Sequence, residues 1–274
     1  MTRRTIFFVS DQTGVTAETM GHSLLTQFED IEFRQVTLPF ISSIDKAEQA
    51  VSRINATGAA DGLRPVVFST LVREDLRTVV ARSDGLMLDF FAAFLRPLEE
   101  ELGVKSSMRE GRAHGITNRS AYSARIEATN FALSADDGGA RAEYRRADVI
   151  LVGVSRSGKT PTCVYMAMQY GIFAANYPLT EEDFESNRLP AMLREHPAKL
   201  FGLTIAPARL QQIRQERRPD SRYSSLAQCE FEVLRAEAMF RRFSIPNIDT
   251  TECSIEEIAS RVIERMGIER RVHP

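Results

Sequence analysis

The feature that most constrains the fold is the segment Gly153-Val-Ser-Arg-Ser-Gly-Lys-Thr160. It matches the phosphate-loop pattern G-x-x-x-x-G-K-[ST] at every fixed position. The apolar run at 148–152 precedes it and predicts a buried strand, and a helical pattern over 159–170 follows it. A bound anion needs this order of strand, loop and helix, because the positive end of the helix must face it. The segment therefore predicts a parallel α/β fold around it.

The residue types within the loop suit a phosphate group. The glycines at 153 and 158 are expected to supply backbone angles that a side chain would block, so that loop N–H groups turn inward. Lys159 can reach outer phosphate oxygens as a catalytic cation, and the Thr160 hydroxyl can ligate Mg²⁺. The predicted nucleotide-binding residues are Gly153, Val154, Ser155, Arg156, Ser157, Gly158, Lys159 and Thr160. The alternative is a glycine-containing turn with a solvated lysine, although lysine is scarce in this chain.

Strand and helix patterns alternate on both sides of the loop. Apolar runs predict further strands at 5–9, 33–38, 65–69, 174–177, 200–205 and 247–250. The segment 85–95 is so apolar that periodicity cannot separate strand from helix. The alternation predicts an α/β fold class with mostly parallel sheets and flanking helices, made of an N-terminal Rossmann-like half and a C-terminal P-loop kinase-like half.

The predicted domains are an α/β half at 1–103, a mainly helical or loop connector at 104–146, and a nucleotide-binding half at 147–274. The connector is assigned because Gly, Ser, Arg and Ala dominate there and strand signals vanish. Asp45 with Glu48 resembles a capping box that opens a helix. Ser254 with Glu257 resembles another, and the stretch 181–194 predicts one helix with an acidic start.

Composition excludes several classes of protein. The 274 residues carry a net charge of -2, without the basic excess that is typical of nucleic-acid binding. Three cysteines without a CxxC pair argue against a disulfide scaffold and favour a reducing cytoplasm. No apolar stretch approaches the length of a membrane span, so we expect a cytoplasmic protein without membrane association.

Four arginines between 209 and 218 form a basic cluster after the predicted strand at 200–205. Guanidinium groups bind phosphate oxygens bidentately, so a helix carrying them could close over a transferred phosphate. The predicted phosphate contacts are Arg209, Arg214, Arg217 and Arg218. A solvated helix face is an equally good interpretation, because most charge runs are solvated.

Three further residues are candidates for catalysis by position and charge. Asp11 follows the first strand, where open α/β sheets bind ligands, although an Asx-turn would explain it too. His114, before Gly115 in the arginine-rich connector, is the one histidine in a plausible site context, although a surface role would explain it too. Asp137 is a candidate from its position and charge. An acidic metal partner for Thr160 is missing after the strand at 200–205, and Asp89 and Asp249 are weak candidates for it.

Several segments together resemble the phosphoenolpyruvate synthase regulatory protein family and its relatives, the pyruvate, phosphate dikinase regulatory proteins. The resemblance covers nearly the whole chain. The segments that carry it are 9–14 (VSDQTG), 37–40 (TLPF), 114–115 (HG), 136–138 (DDG), 152–162 (VGVSRSGKTPT), 165–171 (YMAMQYG), 174–178 (AANYP), 200–205 (LFGLTI), 221–223 (SRY) and 228–229 (QC). Gly158, where the dikinase branch usually carries Ser, favours the synthase branch.

The resemblance implies a bifunctional enzyme. Such an enzyme phosphorylates a Thr of its target with ADP as donor, and removes that phosphate with inorganic phosphate, releasing pyrophosphate. The implied protein partner is phosphoenolpyruvate synthase, and the loop 153–160 becomes the ADP site, with Mg²⁺ expected at Thr160. A homo-oligomer is compatible with the sequence. Without the resemblance, a P-loop kinase of a small metabolite and a non-enzymatic nucleotide-sensing module fit the same residues.

Overall fold

A computed structural model of the protein describes residues 3–108, 119–138, 143–186 and 188–272. The chain forms two compact units, residues 1–115 and residues 116–274. Each unit contains a four-stranded sheet in which every pairing is parallel. The predicted α/β class with parallel sheets and flanking helices is confirmed. No helix among the described residues is long and apolar enough to cross a membrane.

The first sheet has the strand order β2-β1-β3-β4. Its elements are β1 (Arg3–Val9), α1 (Val15–Leu25), β2 (Glu32–Leu38), α2 (Ile44–Asp61), β3 (Val66–Ser69), α3 (Glu74–Val80), β4 (Leu86–Asp89) and α4 (Phe90–Leu102). Alternate residues of β1 enter different cores, because successive side chains of a strand point to opposite faces. Ile6 and Phe8 pack with α1, whereas Phe7 and Val9 pack with residues of α2 and α3. Both faces of this sheet are therefore covered.

The structure resolves one ambiguous prediction for the first unit and corrects another. The ambiguous apolar segment contains a strand and then a helix, and the change occurs at Asp89, whose carboxylate accepts a hydrogen bond from the Ala92 N–H. The capping box predicted at Asp45 is wrong. Helix α2 begins at Ile44, two residues earlier than an Asp45 cap requires, and its N-cap is Ser43, whose hydroxyl accepts from the Lys46 N–H.

The second sheet has the strand order β6-β5-β7-β8. Its elements are α5 (Arg119–Ser134), β5 (Val149–Gly153), α6 (Lys159–Tyr170), β6 (Ala174–Pro178), α7 (Glu181–Ser186), α8 (Ala191–Arg194), β7 (Leu200–Thr204), α9 (Pro207–Arg217), α10 (Leu226–Arg242), β8 (Asn247–Asp249) and α11 (Ile255–Met266). Every residue of β5 is buried, as its apolar sequence predicts for an interior parallel strand. Ser254 caps α11 through the Glu257 N–H, which confirms the predicted start.

The single helix predicted over 181–194 is wrong, because the structure has two short helices there. Pro190 is the N-cap of the second one, and a proline lacks the N–H that a continuous helix would use. Part of the stretch assigned to a connector contributes to the second core. Ala128, Phe131 and Ala132 of α5 are buried in that core, and α5 packs against α6 and β6.

Candidate functional site

The phosphate-loop segment joins β5 to α6 at the carboxyl end of an interior strand. Its two glycines are required for different reasons. Gly158 has φ +89° and is the N-cap of α6. Gly153 lies inside the strand, and a Cβ there would stand 2.4 Å from the Leu203 carbonyl oxygen of β7. The expectation of unusual backbone angles therefore holds for Gly158 only, whereas Gly153 permits the close approach of two strands.

The start of α6 is available to an anion. Its N-cap, Gly158, has no side chain that could accept a hydrogen bond from the first-turn N–H groups. The unpaired N–H groups of a helix N-terminus and the helix dipole attract negative charge. Because Lys159 is the first residue of α6, it lies at the positive end of that helix.

Lys159 is buried, and its Nζ donates a hydrogen bond of 2.7 Å to the Val154 carbonyl oxygen. Burial lowers the pKa of Lys159 to about 8, although the negative charges of Asp137 and Asp136 act in the opposite direction. The positive charge of Arg214 adds to the lowering. An anion entering the loop would therefore gain a poorly solvated cation, since a buried ammonium lacks its water shell.

Thr160 lies beside an acidic residue that the sequence patterns missed. Its Oγ1 donates a hydrogen bond of 2.8 Å to Asp136 Oδ1. Asn176 of β6 donates through Nδ2 to the same carboxylate oxygen, and its Oδ1 accepts from the Asp137 N–H at 2.9 Å. Asp137 itself is exposed and has φ +52°. Asn176 thereby fixes the Asp136–Asp137 turn against the loop threonine.

The two acids that the sequence offered as metal partners have contacts of their own. Asp89 caps α4 in the first unit, and its carboxylate lies 3.9 Å from Arg77. Asp249 is exposed at the end of β8, where it accepts hydrogen bonds from the N–H and hydroxyl of Thr251. A metal-binding role for either acid stays a prediction. The carboxylate that is bonded to Thr160 is that of Asp136, although it precedes the loop in the sequence.

The charges around Thr160 suit Mg²⁺ with few protein ligands. Within 3–108, 119–138, 143–186 and 188–272, no group of three or more His, Cys, Asp or Glu side chains is arranged to hold a metal ion. Mg²⁺ commonly keeps several waters and takes one or two protein ligands together with phosphate oxygens. A hydroxyl and a carboxylate oxygen in hydrogen-bond contact fit that donor set.

The four arginines of the basic cluster lie in different environments. Arg214 is completely buried and pairs with Glu232 of α10. The other three lie on the exposed surface: Arg209, Arg217 and Arg218. Nη1 of Arg209 donates to Gln212 Oε1 at 3.2 Å. The cluster therefore combines one buried arginine beneath the loop with three that remain accessible to a ligand.

Further loop contacts come from Thr250 and Tyr223. Tyr223 belongs to the segment 221–223 that carries the family resemblance, whereas no sequence pattern marked Thr250 as a site residue. Thr250 Oγ1 donates to the Ser157 carbonyl oxygen at 3.2 Å. The Tyr223 hydroxyl lies 3.1 Å from Ser155 Oγ. Asn176 had a sequence signal, because it is a polar residue that follows two alanines in a predicted strand. The contact of Thr250 with the loop follows from tertiary packing alone.

Two catalytic candidates remain, Asp11 and His114. Asp11 belongs to the first unit, where it is buried at the end of β1 and its Oδ2 accepts from the Val72 N–H at 2.9 Å. The loop after it ends at Gly14, the N-cap of α1, with φ +87°. His114 lies outside the described residues.

Comparisons with known proteins agree with this chemistry. The family model described as Kinase/pyrophosphorylase matches residues 6–263. Proteins named "Putative phosphoenolpyruvate synthase regulatory protein" are similar over 269 residues, which is 98% of this chain and 99% of theirs. Identity is 57% for the protein of Pseudomonas putida strain F1 and 56% for those of Pseudomonas savastanoi pv. phaseolicola and Pseudomonas fluorescens strain Pf0-1. The chain with this phosphate loop therefore belongs to the kinase/pyrophosphorylase family, a family of phosphotransferases.

Proposed function

We propose that the protein is a bifunctional regulator of phosphoenolpyruvate synthase. It transfers the β-phosphoryl group of ADP to a threonine hydroxyl of that enzyme, which leaves AMP and inactivates the target. In the other direction inorganic phosphate takes the phosphoryl group from the phosphothreonine and leaves as pyrophosphate. The observation that carries the proposal is a buried Lys159 at the start of α6, directly after the N-cap Gly158, in a chain of this family.

The loop is well suited to a diphosphate. The backbone N–H groups and the start of α6 bind phosphate oxygens, and Lys159 exchanges its bond to the Val154 carbonyl for one to phosphate. Thr160 and Asp136 are the residues that would hold Mg²⁺, which neutralises phosphate charge when bound. The exposed arginines 209, 217 and 218 are proposed to contact the phosphoryl group that moves.

The protein acceptor is inferred from the relatives. Their printed name points to phosphoenolpyruvate synthase, and similarity over nearly the full chain supports the same target. Asp137 is proposed as a catalytic acid–base residue because its exposed carboxylate lies one residue from the Thr160 partner. Asp11 and His114 are proposed for the same chemistry from position and charge. We place the activity in the cytoplasm, where this target and ADP would be encountered.

The direct test is incubation of the purified protein with phosphoenolpyruvate synthase and ADP labelled in its β-phosphate. We expect label on one threonine of the synthase and loss of synthase activity. Added inorganic phosphate should then remove the label as pyrophosphate and restore activity. Label that enters only a small metabolite, or no transfer with ADP bound, would favour a metabolite kinase or a nucleotide-sensing module instead.

A further inference from the structure

Arg214 joins the phosphate loop to helix α10. Its Nη1 lies 3.2 Å from Oε1 of Glu232, and its Nη2 lies 2.6 Å from Oε2. Nη1 also donates to the Tyr223 carbonyl oxygen at 3.0 Å, and Nη2 to the Ser155 carbonyl oxygen at 3.1 Å. This paired, planar geometry is specific to a guanidinium and cannot be reproduced by a lysine.

The surroundings keep this side chain charged and immobile. Burial opposes the charge of Arg214, but the hydrogen bond and attraction of Glu232 outweigh it and raise the pKa. The Tyr223 ring packs on the guanidinium, with 4.1 Å from Cζ to the ring centroid. The hydroxyl of the same tyrosine lies 3.1 Å from Ser155 Oγ. Ser155 is therefore held through both its backbone and its side chain.

The next loop residue has a strained backbone. Arg156 has φ +77°, in the left-handed region, where the Cβ of a residue other than glycine comes too close to the following carbonyl oxygen. Such a conformation persists only where the surroundings enforce it. The carbonyl groups on both sides of Arg156 are tied down, that of Ser155 by Arg214 and that of Ser157 by Thr250.

These contacts set the direction of a loop N–H group. In a planar trans peptide, the C=O and N–H bonds point to opposite sides. Because the Ser155 carbonyl points to the buried guanidinium, the Arg156 N–H points away from it. Free rotation of this peptide would replace the N–H donor with a carbonyl oxygen, which repels an anion.

We propose that Arg214 is a positioning residue of the phosphate loop. Together with Glu232 it fixes the Ser155–Arg156 peptide so that its N–H group is presented to a diphosphate. This role rests on the proposed function, since the diphosphate is that of ADP or pyrophosphate. Arg214 then holds the loop in position from its buried side, in place of the direct phosphate contact expected from the sequence.

Isothermal titration calorimetry with ADP and with pyrophosphate tests the proposal. The variants are Arg214→Lys and Glu232→Gln, with Glu230→Gln as the matched control on the exposed side of α10. We expect the first two to weaken both ligands about tenfold or more, because a charge-assisted restraint on the loop is lost. The control should bind like the wild type. Wild-type affinity in Arg214→Lys, which by urea unfolding remains folded, would overturn the proposal.

A second variant separates loop positioning from general support of the fold. Arg156→Gly removes the strain at φ +77°, because glycine adopts this region readily. In the Arg214→Lys background it should therefore restore part of the lost affinity, measured against Arg156→Gly alone in a double-mutant cycle. Losses that simply add, with no recovery, would contradict the positioning role.

The same titrations separate this inference from the proposed function. Binding of ADP by the wild-type protein tests the nucleotide site. The ratio of variant to wild-type affinity tests Arg214, and pyrophosphate alone suffices for it. If the wild type binds pyrophosphate but not ADP, ADP is excluded as the phosphate donor. The pyrophosphate affinities of the variants still test the role of Arg214.

Discussion

The Thr160 hydroxyl donates a hydrogen bond of 2.8 Å to Asp136 Oδ1, across a sequence separation of 24 residues. The bond pairs a loop threonine with a carboxylate that comes from the turn after α5, before the loop begins. P-loop enzymes commonly take this acid from a strand that follows the loop. In the second unit the carboxylate beside the loop threonine comes instead from a segment that precedes the loop.

We expect Asp136→Asn to weaken ADP binding in the presence of Mg²⁺ by about 10- to 100-fold, since partners of metal ligands typically contribute that much. Binding without metal should change far less. Calorimetry with and without Mg²⁺ measures both, and Asp249→Asn is a control at an exposed aspartate. An unchanged metal dependence in Asp136→Asn would show that this carboxylate does not serve the metal.

Lys159→Ala should abolish both opposing reactions. ADP ends in a diphosphate and pyrophosphate is one, so we expect both to occupy the loop 153–160 and to compete. Loss of the lysine removes a charge-assisted bond to either ligand and should weaken both at least tenfold. Lys199→Ala is a suitable control, because the Lys199 Nζ donates to the Arg145 carbonyl oxygen, outside the phosphate loop. Phosphorolysis retained in Lys159→Ala would instead indicate a separate site.

ADP affinity should decline as pH rises above about 8, because the buried Lys159 then loses its proton. The decline approaches tenfold per pH unit at most, and it should vanish in Lys159→Ala. Binding above this pH should take up a proton, which calorimetry in buffers of different ionisation enthalpy detects. A flat pH profile between 7 and about 9.5 would contradict a lowered lysine pKa at the ligand.

The same pKa shift has the opposite effect on stability. Between pH 8 and the ordinary lysine value of 10.5, the unfolded chain holds the proton that the native chain has released. The Lys159 contribution to the free energy of unfolding therefore rises with pH across this window. Comparison of urea unfolding of the wild type and Lys159→Ala at several pH values isolates that contribution.

Gly153→Ala should lower both stability and ADP affinity. The new Cβ would meet the backbone oxygen of Leu203, which cannot rotate away, so β5 and β7 must separate. Overpacking of this kind costs roughly 1–3 kcal/mol. Gly267→Ala is the control, since its φ of +62° makes it unfavourable for alanine while no atom lies within 4 Å. It should lose stability and keep its affinity.

The parts of the site that the sequence predicts are those fixed by local order. The loop 153–160 predicts a strand before it and a helix after it, because phosphate binding requires that arrangement of neighbouring segments. Helix α11 likewise carries its own cap at Ser254. In both cases the interacting groups are neighbours in the chain, so their spacing is visible in the sequence.

Burial within a charged run cannot be predicted in the same way. Arg214 differs from Arg217 only by its position on α9, and its burial depends on Glu232, which arrives from another helix. The partnership of Thr160 with Asp136 depends similarly on Asn176, which brings the turn to the loop from β6. These relations are properties of packing between distant segments.

The two sheets have the same strand order, so the corresponding turns of the two units can be compared directly. In each unit a loop joins the first strand to a helix, and the N-cap of that helix is a glycine in the left-handed region, with φ +87° at Gly14 and +89° at Gly158. The second residue of each helix is a threonine. The residues after the glycine are Val15 and Thr16 in one unit and Lys159 and Thr160 in the other. The turn geometry therefore comes from the scaffold, whereas the cation comes from one side chain. The shared arrangement is not visible in the amino-acid sequence and becomes apparent from the topology. At the first residue of the helix that follows the glycine, one unit has Val15 and the other has the cation Lys159.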